Sequence, residues 1–193
     1  MRATKLTTKP KRFFKTQMLA EIIVLSALSG VLYSIRPFPG FPFGGAVTLA
    51  SMVPTMWLSL RRGVRVGVLA GILYGIIAFF IDILYLGASS IVATPLQAVL
   101  EYPIAFGLIG LTGMFHTKKI SLVLFGAGIS VFLRFLVHYF VGVFVWNYVY
   151  SFPEFGQYLW PAVYNGSFLL AEFLISAILL VVLVKRGTLE YRL

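Results

Sequence analysis

Long apolar runs, separated by prolines, glycines and clusters of basic residues, set the architecture of this chain. The first runs from about Gln17 to Ile35 and stops at Arg36, because Pro37, Pro39 and Pro42 cannot continue a helical ladder. A second, shorter run from about Ala46 to Leu60 contains Pro54, which predicts a kink, and ends at Arg61-Arg62-Gly63. The third spans roughly Val64 to Tyr85, with Gly87 to Ser90 closing it, and the fourth begins near Thr94 and continues to about Phe115. After a basic turn, His116 to Lys119, the fifth runs from about Ile120 to Trp146, longer than a bilayer requires. The aromatic stretch Asn147 to Trp160 reads as an interfacial loop, and the sixth run goes from about Pro161 to Val184.

Each run approaches the roughly 20 apolar residues that cross a hydrocarbon core about 30 Å thick. Of the 193 residues 60% are hydrophobic and 11% charged, with a mean hydropathy of +0.94, so the bilayer is the solvent and no room is left for a soluble domain. The pattern predicts an all-α membrane protein of six transmembrane helices forming one domain. Residues 1–16 would be a basic tail, 17–186 a six-helix bundle and 187–193 a second tail. The N-terminal region lacks a small-residue cleavage site of the A-x-A kind and is read as retained.

The net charge of +10 would invite a nucleic-acid hypothesis in a soluble protein, but here the basic residues sit in alternate loops. Arg2, Lys5, Lys9, Lys11, Arg12 and Lys15 precede the first helix; Arg61, Arg62 and Arg65 follow the second; Lys118 and Lys119 follow the fourth; Lys185, Arg186 and Arg192 follow the sixth. All fall on one side, with Arg36 opposite, and by the positive-inside rule both termini are cytoplasmic. The sequence has no cysteine, so disulfides and thiolate metal sites are excluded, and no metal is expected. No G-x-x-x-x-G-K-[ST] loop, H-E-x-x-H or G-x-S-x-G occurs, so energy from ATP must come from other chains.

Ionisable groups inside a span cost on the order of 2.5–3.5 kcal/mol each and are functional candidates by default. Glu101 falls in the fourth helix, Arg134 and His138 one turn apart in the fifth, and Asn165 and Glu172 on one stripe of the sixth. With Tyr102, Trp146, Trp160 and Tyr164 nearby, these residues combine an anion, amide-type hydrogen-bond partners and flat π-faces, which suits a planar heterocyclic cation. Simpler readings exist for each. Glu101 and Arg134 neutralise each other between helices, His138 and Asn165 bond neighbouring helices, and Trp146 and Tyr164 belong to an interfacial belt. Glu172 is read as a structural partner of a polar group. Asp82 and Glu154 fall near or beyond the outer interface and Glu21 near the inner one, and all three are read as solvated. On the first helix Ser26, Ala27 and Gly30 have the small-xxx-small spacing of a partner-docking face or of internal packing.

Four motifs resemble the thiamine-specific substrate-binding (S) components of energy-coupling factor (ECF) transporters. They are Leu58-Ser59-Leu60-Arg61-Arg62-Gly63, Gln97-Ala98-Val99-Leu100-Glu101-Tyr102, Arg134 through His138 to Trp146, and Tyr164-Asn165-Gly166-Ser167. The resemblance covers residues 17 to 186. It implies an S-component bundle in a prokaryotic cell membrane that binds thiamine as transported ligand, without a cofactor. Its partners would be a transmembrane coupling subunit and two cytoplasmic ATPase subunits, with no nucleic acid involved. Carried over, Glu101 is the ligand carboxylate followed by Tyr102, His138 and Trp146 flank the thiazolium ring, and Asn165 is the pocket asparagine. Arg134 stands where the family commonly has lysine, and Trp160 where it has tyrosine. The family's docking motif falls at Ile23 and Ala27, with Ser26 and Gly30 as substitutes. Rival readings are a proton-coupled secondary transporter with Glu101, His138 and Glu172 as relay, and an intramembrane enzyme with Glu101 and His138 as acid and base.

Overall fold

The computed structural model describes residues 12–37, 45–146 and 156–189, and among them every regular element is a helix. In chain order these are α1 (Arg12–Ser34), α2 (Val53–Arg62), α3 (Val64–Leu86), α4 (Ala88–Ile91), α5 (Pro95–Phe115), α6 (Ile120–Trp146) and α7 (Gly156–Lys185). From Thr16 onward, α1 is long and apolar enough to cross a membrane, and so are α3, α5, α6 and α7. The ten-residue α2 falls short of that length and lies buried among them.

Three helix starts differ from the sequence reading, the first being that of α1, which begins at Arg12 rather than at about Gln17. Pro54 does not kink a helix but starts one: residues 45–52 run in as irregular chain, and Pro54 sits in the first turn of α2, where its missing N–H costs nothing. Conversely Pro161 does not start α7, which begins five residues earlier at Gly156 and carries the proline inside. The interfacial loop foreseen at 147–160 lies largely outside the described residues, as does Glu154.

The side chains facing outward are those expected of a lipid-facing surface. Leu84 is 85% exposed and Phe144 77%, whereas Tyr74, Phe106, Met52, Met56 and Ile109 are sealed in the core.

Close approach of α3 to α5 builds the centre of the bundle. Gly67, Gly71 and Gly75 recur every fourth residue on α3, and a methyl group on any of them would strike the backbone of Gly110, Phe106 or Tyr102 on α5. Such small-residue stripes let membrane helices approach until backbone touches backbone, which maximises packing where no hydrophobic effect acts between helices. The stripe continues through Ala78 to Asp82, both buried. Gly142 likewise lets α6 and α7 approach, since an added Cβ would meet the Pro161 side chain at 2.7 Å.

On α1, Ser26 is buried and donates to the Ala70 carbonyl at 2.9 Å, and Gly30 packs on Ile77. Both therefore serve the α1–α3 contact, which corrects their assignment to a partner-docking face; of that trio Ala27 alone is exposed. Glu21 is also not simply solvated: Arg62 binds it bidentately at 2.6 and 2.7 Å, tying α1 to the end of α2.

Candidate functional site

One large cavity opens among the helices, with about 950 Å³ of atom-free space, part of it continuous with solvent. Glu101, Tyr102, Arg134, His138, Trp146, Trp160, Tyr164 and Asn165, the eight positions singled out in the sequence, all line it. So do Tyr33, Asp82, Phe106 and Phe168.

Within α5 the helix departs from regular α geometry at the cavity. Thr94 caps α5 by accepting from the Gln97 amide at 3.1 Å, and Pro95 occupies the first turn. At Leu100–Ile104 the ladder widens into a π-helical turn around Pro103, a distortion that often marks functional sites, and it carries Glu101 and Tyr102. A second π-helical turn, Gly142–Trp146, ends α6. Its effect is geometric. A regular helix advances about 100° per residue, which would leave Trp146 roughly 80° around the axis from His138. The wider π turn advances less per residue and swings the indole back towards the face of His138.

Glu101 is the hub. It accepts from the indole N–H of Trp146 at 3.0 Å and from the side-chain amide of Gln97, and its Oε1 lies 3.5 Å from His138 Nδ1. Arg134 does not pair with it. Arg134 is buried, 5% exposed as a residue; its guanidinium donates to Met52 Sδ at 3.2 Å and to His138 Nε2 at 3.4 Å, and lies 4.0 Å over the Phe106 ring. Among the described residues Arg134 makes no ion pair, so mutual neutralisation does not account for Glu101 and Arg134.

Asn165 uses its amide N–H groups on backbone carbonyls, Pro161 at 2.9 Å and His138 at 3.4 Å. Those bonds fix which end of the amide is nitrogen and leave the side-chain oxygen as an acceptor at the cavity. Tyr164 accepts from the Gly45 amide at 2.9 Å and stacks obliquely on Trp160, 5.7 Å between centroids. The cavity therefore offers carboxylate and amide oxygens, one guanidinium and several aromatic faces.

Asp82 was missed. Far from being solvated, it is 1% exposed and accepts from Tyr33 at 2.8 Å and Tyr102 at 2.9 Å, while Arg36 pairs with its other oxygen. The signal lay in the stripe: Asp82 stands seven residues after Gly75 and therefore on the same face of α3.

Glu172 is not a wall residue. It is buried where the chain enters α2, one carboxylate oxygen held by the Thr48 amide and by the Thr48 hydroxyl at 2.6 Å, with Ser51 and Tyr74 extending the network. A proton relay through Glu101, His138 and Glu172 thus lacks a shared cavity for its third member. Among the described residues no cluster of histidine and carboxylate side chains has metal-binding geometry.

The fold and site together define an all-helical, multi-pass membrane protein built around a ligand-sized polar and aromatic cavity. Its sequence matches the model of the thiamine transporter protein family (Thia_YuaJ) over residues 19–190, and the chain belongs to that family. It is 29% identical over 180 residues to the thiamine transporter ThiT of Bacillus subtilis strain 168, covering 86% of this chain and 85% of that protein. A solved structure of ThiT from Listeria monocytogenes superposes with a TM-score of 0.72 at 26% identity, covering 90% of this chain and 96% of that one. Family membership makes it a transport protein rather than an enzyme.

Proposed function

We propose that this chain is the thiamine-binding S component of an ECF importer, which takes thiamine from outside a prokaryotic cell and presents it to a coupling subunit served by two ATPases. One observation carries the reading: the polar and aromatic positions expected to hold thiamine, dispersed over three helices in the sequence, line a single cavity. Glu101 supplies negative charge for the ligand's cationic and amino groups, and its bonds to Trp146 and Gln97 hold it in place. Trp146 and His138 offer their ring faces to the thiazolium, an attraction of roughly 0.5–2 kcal/mol for each well-placed face. Asn165 accepts from the aminopyrimidine, and Trp160, Tyr164 and Tyr102 enclose the rings.

The topology proposed with this function has six crossings, α2 counting as the short one, and places both termini in the cytoplasm, where the basic loops lie. The sequence has no nucleotide-binding loop, so ATP is hydrolysed by other subunits. The outer face of α1, with Ile23, Val24, Ala27 and Val31 exposed, is the surface offered to the coupling subunit. Native mass spectrometry of the chain purified from cells grown with thiamine tests the reading. One thiamine, or a phosphate ester of it, per chain is expected; a chain that remains ligand-free after incubation with excess thiamine would refute it.

A further inference from the structure

Asp82 belongs to none of the motifs that carry the family resemblance, yet it organises one wall of the cavity. Its Oδ2 receives the hydroxyl protons of Tyr33 and Tyr102, from α1 and α5, and its Oδ1 pairs with Arg36. Arg36 is itself held against the Tyr33 and Tyr85 rings, at 4.8 and 5.0 Å. Tyr33, Asp82 and Tyr102 all line the cavity.

A phenol carries one proton, and an ion-paired carboxylate only accepts. Once both phenolic protons are committed to Asp82, the two oxygens have only lone pairs to offer the cavity. We propose that Asp82 is a positioning residue for ligand binding: acting through Tyr102 and Tyr33, it makes this wall accept a hydrogen bond from an N–H or O–H group of the ligand. The inference deepens the thiamine reading and rests on it. Thiamine carries two such donors, its amino group and its hydroxyl. The wall discriminates in consequence. Where a free phenol rotates to serve a carbonyl or an amine alike, these two repel a ligand that presents an acceptor at the same place.

Asp82→Asn is the informative change, because the new amide N–H donates to a phenolic oxygen and turns that hydroxyl outward as a donor. Thiamine binding is to be measured by tryptophan fluorescence on the full chain in detergent. The same titration is repeated with an analogue whose amino group is replaced by methyl and with one whose hydroxyl is replaced by hydrogen. Asp82→Asn and Tyr102→Phe should each weaken thiamine about tenfold, the scale of one well-placed hydrogen bond. The double variant should bind no worse than the weaker single one, and for one of the two analogues the penalty should vanish. Tyr102→Phe keeps the ring and the fold, so it carries the analogue comparison even if Asp82→Asn yields no folded protein. Arg36→Gln/Asp82→Asn, which leaves no unpaired guanidinium, then stands in for the single change. Wild-type affinity in Asp82→Asn, or equal penalties for thiamine and both analogues, overturns the inference alone. A wild-type chain that binds no thiamine overturns the functional reading, and this inference with it.

Discussion

The indole N–H of Trp146 points at the carboxylate of Glu101, 3.0 Å from Oε2, and so joins the π-helical turns of two separate spans. Each residue holds the other ready: the carboxylate fixes the plane of the indole, and the indole keeps an acceptor oriented towards the cavity. Preorganisation of this kind raises affinity by cutting the cost of ordering side chains when the ligand arrives.

Replacing Glu101 by Gln removes the charge but keeps an acceptor for Trp146. A charge-assisted hydrogen bond contributes about 1.5–3 kcal/mol, so thiamine affinity should fall roughly 10- to 100-fold with the thermal unfolding midpoint little changed. Isothermal titration calorimetry and differential scanning fluorimetry on one preparation separate the two effects.

Glu172 should behave oppositely. Glu172→Gln keeps an acceptor for Thr48 and is expected to bind thiamine within about threefold of wild type. Glu172→Ala leaves the buried Thr48 amide without a partner and should destabilise the fold by roughly 1–3 kcal/mol. Calorimetric titration of the first variant and thermal unfolding of the second check this division.

The α3–α5 contact predicts a contrast between glycines. Gly71→Ala drives a methyl group into the Phe106 carbonyl and should cost about 1–3 kcal/mol, lowering the unfolding midpoint. At Gly128 an added Cβ meets only Phe173 at an ordinary 3.8 Å, so Gly128→Ala on α6 should be neutral or slightly stabilising.

Because the chain has no cysteine, its topology can be read by single-cysteine labelling without first removing native thiols. Cysteine at Thr117 should react with a membrane-impermeant maleimide only after the cells are opened, and cysteine at Ser89 should react in intact cells. The reverse pattern would invert the proposed orientation.

These expectations show what the sequence made legible. Periodicity and length located α3, α5 and α6 to within a residue or so, and the end of α1 likewise, because bilayer thickness dictates the length of a span. In-span polarity picked out Glu101, Arg134, His138 and Asn165, because a charge in lipid must face inward. Asp82 escaped because it lies in the last turns of α3, where a carboxylate reads as solvated; its burial follows from Tyr33, Tyr102 and Arg36, all distant in sequence. The π turns escaped too, since nothing in a hydropathy pattern distinguishes them from regular helix. Ser26 and Gly30 stayed open between two readings because the same small-residue spacing serves contacts within a chain and between chains; their contacts with Ala70 and Ile77 favour the internal one.

Tryptophan placement allows the central claim, that thiamine occupies this cavity, to be tested directly. Trp146 and Trp160 line it, whereas Trp57 packs beside Arg61 and Thr188 at the end of the bundle near the C-terminus. Thiamine should quench the fluorescence of Trp57→Phe saturably, with one site at micromolar ligand or below, and should leave the Trp57 emission of Trp146→Phe/Trp160→Phe unchanged. Absence of quenching in Trp57→Phe, or saturable quenching that persists in the variant retaining Trp57 alone, would place thiamine elsewhere and contradict the account.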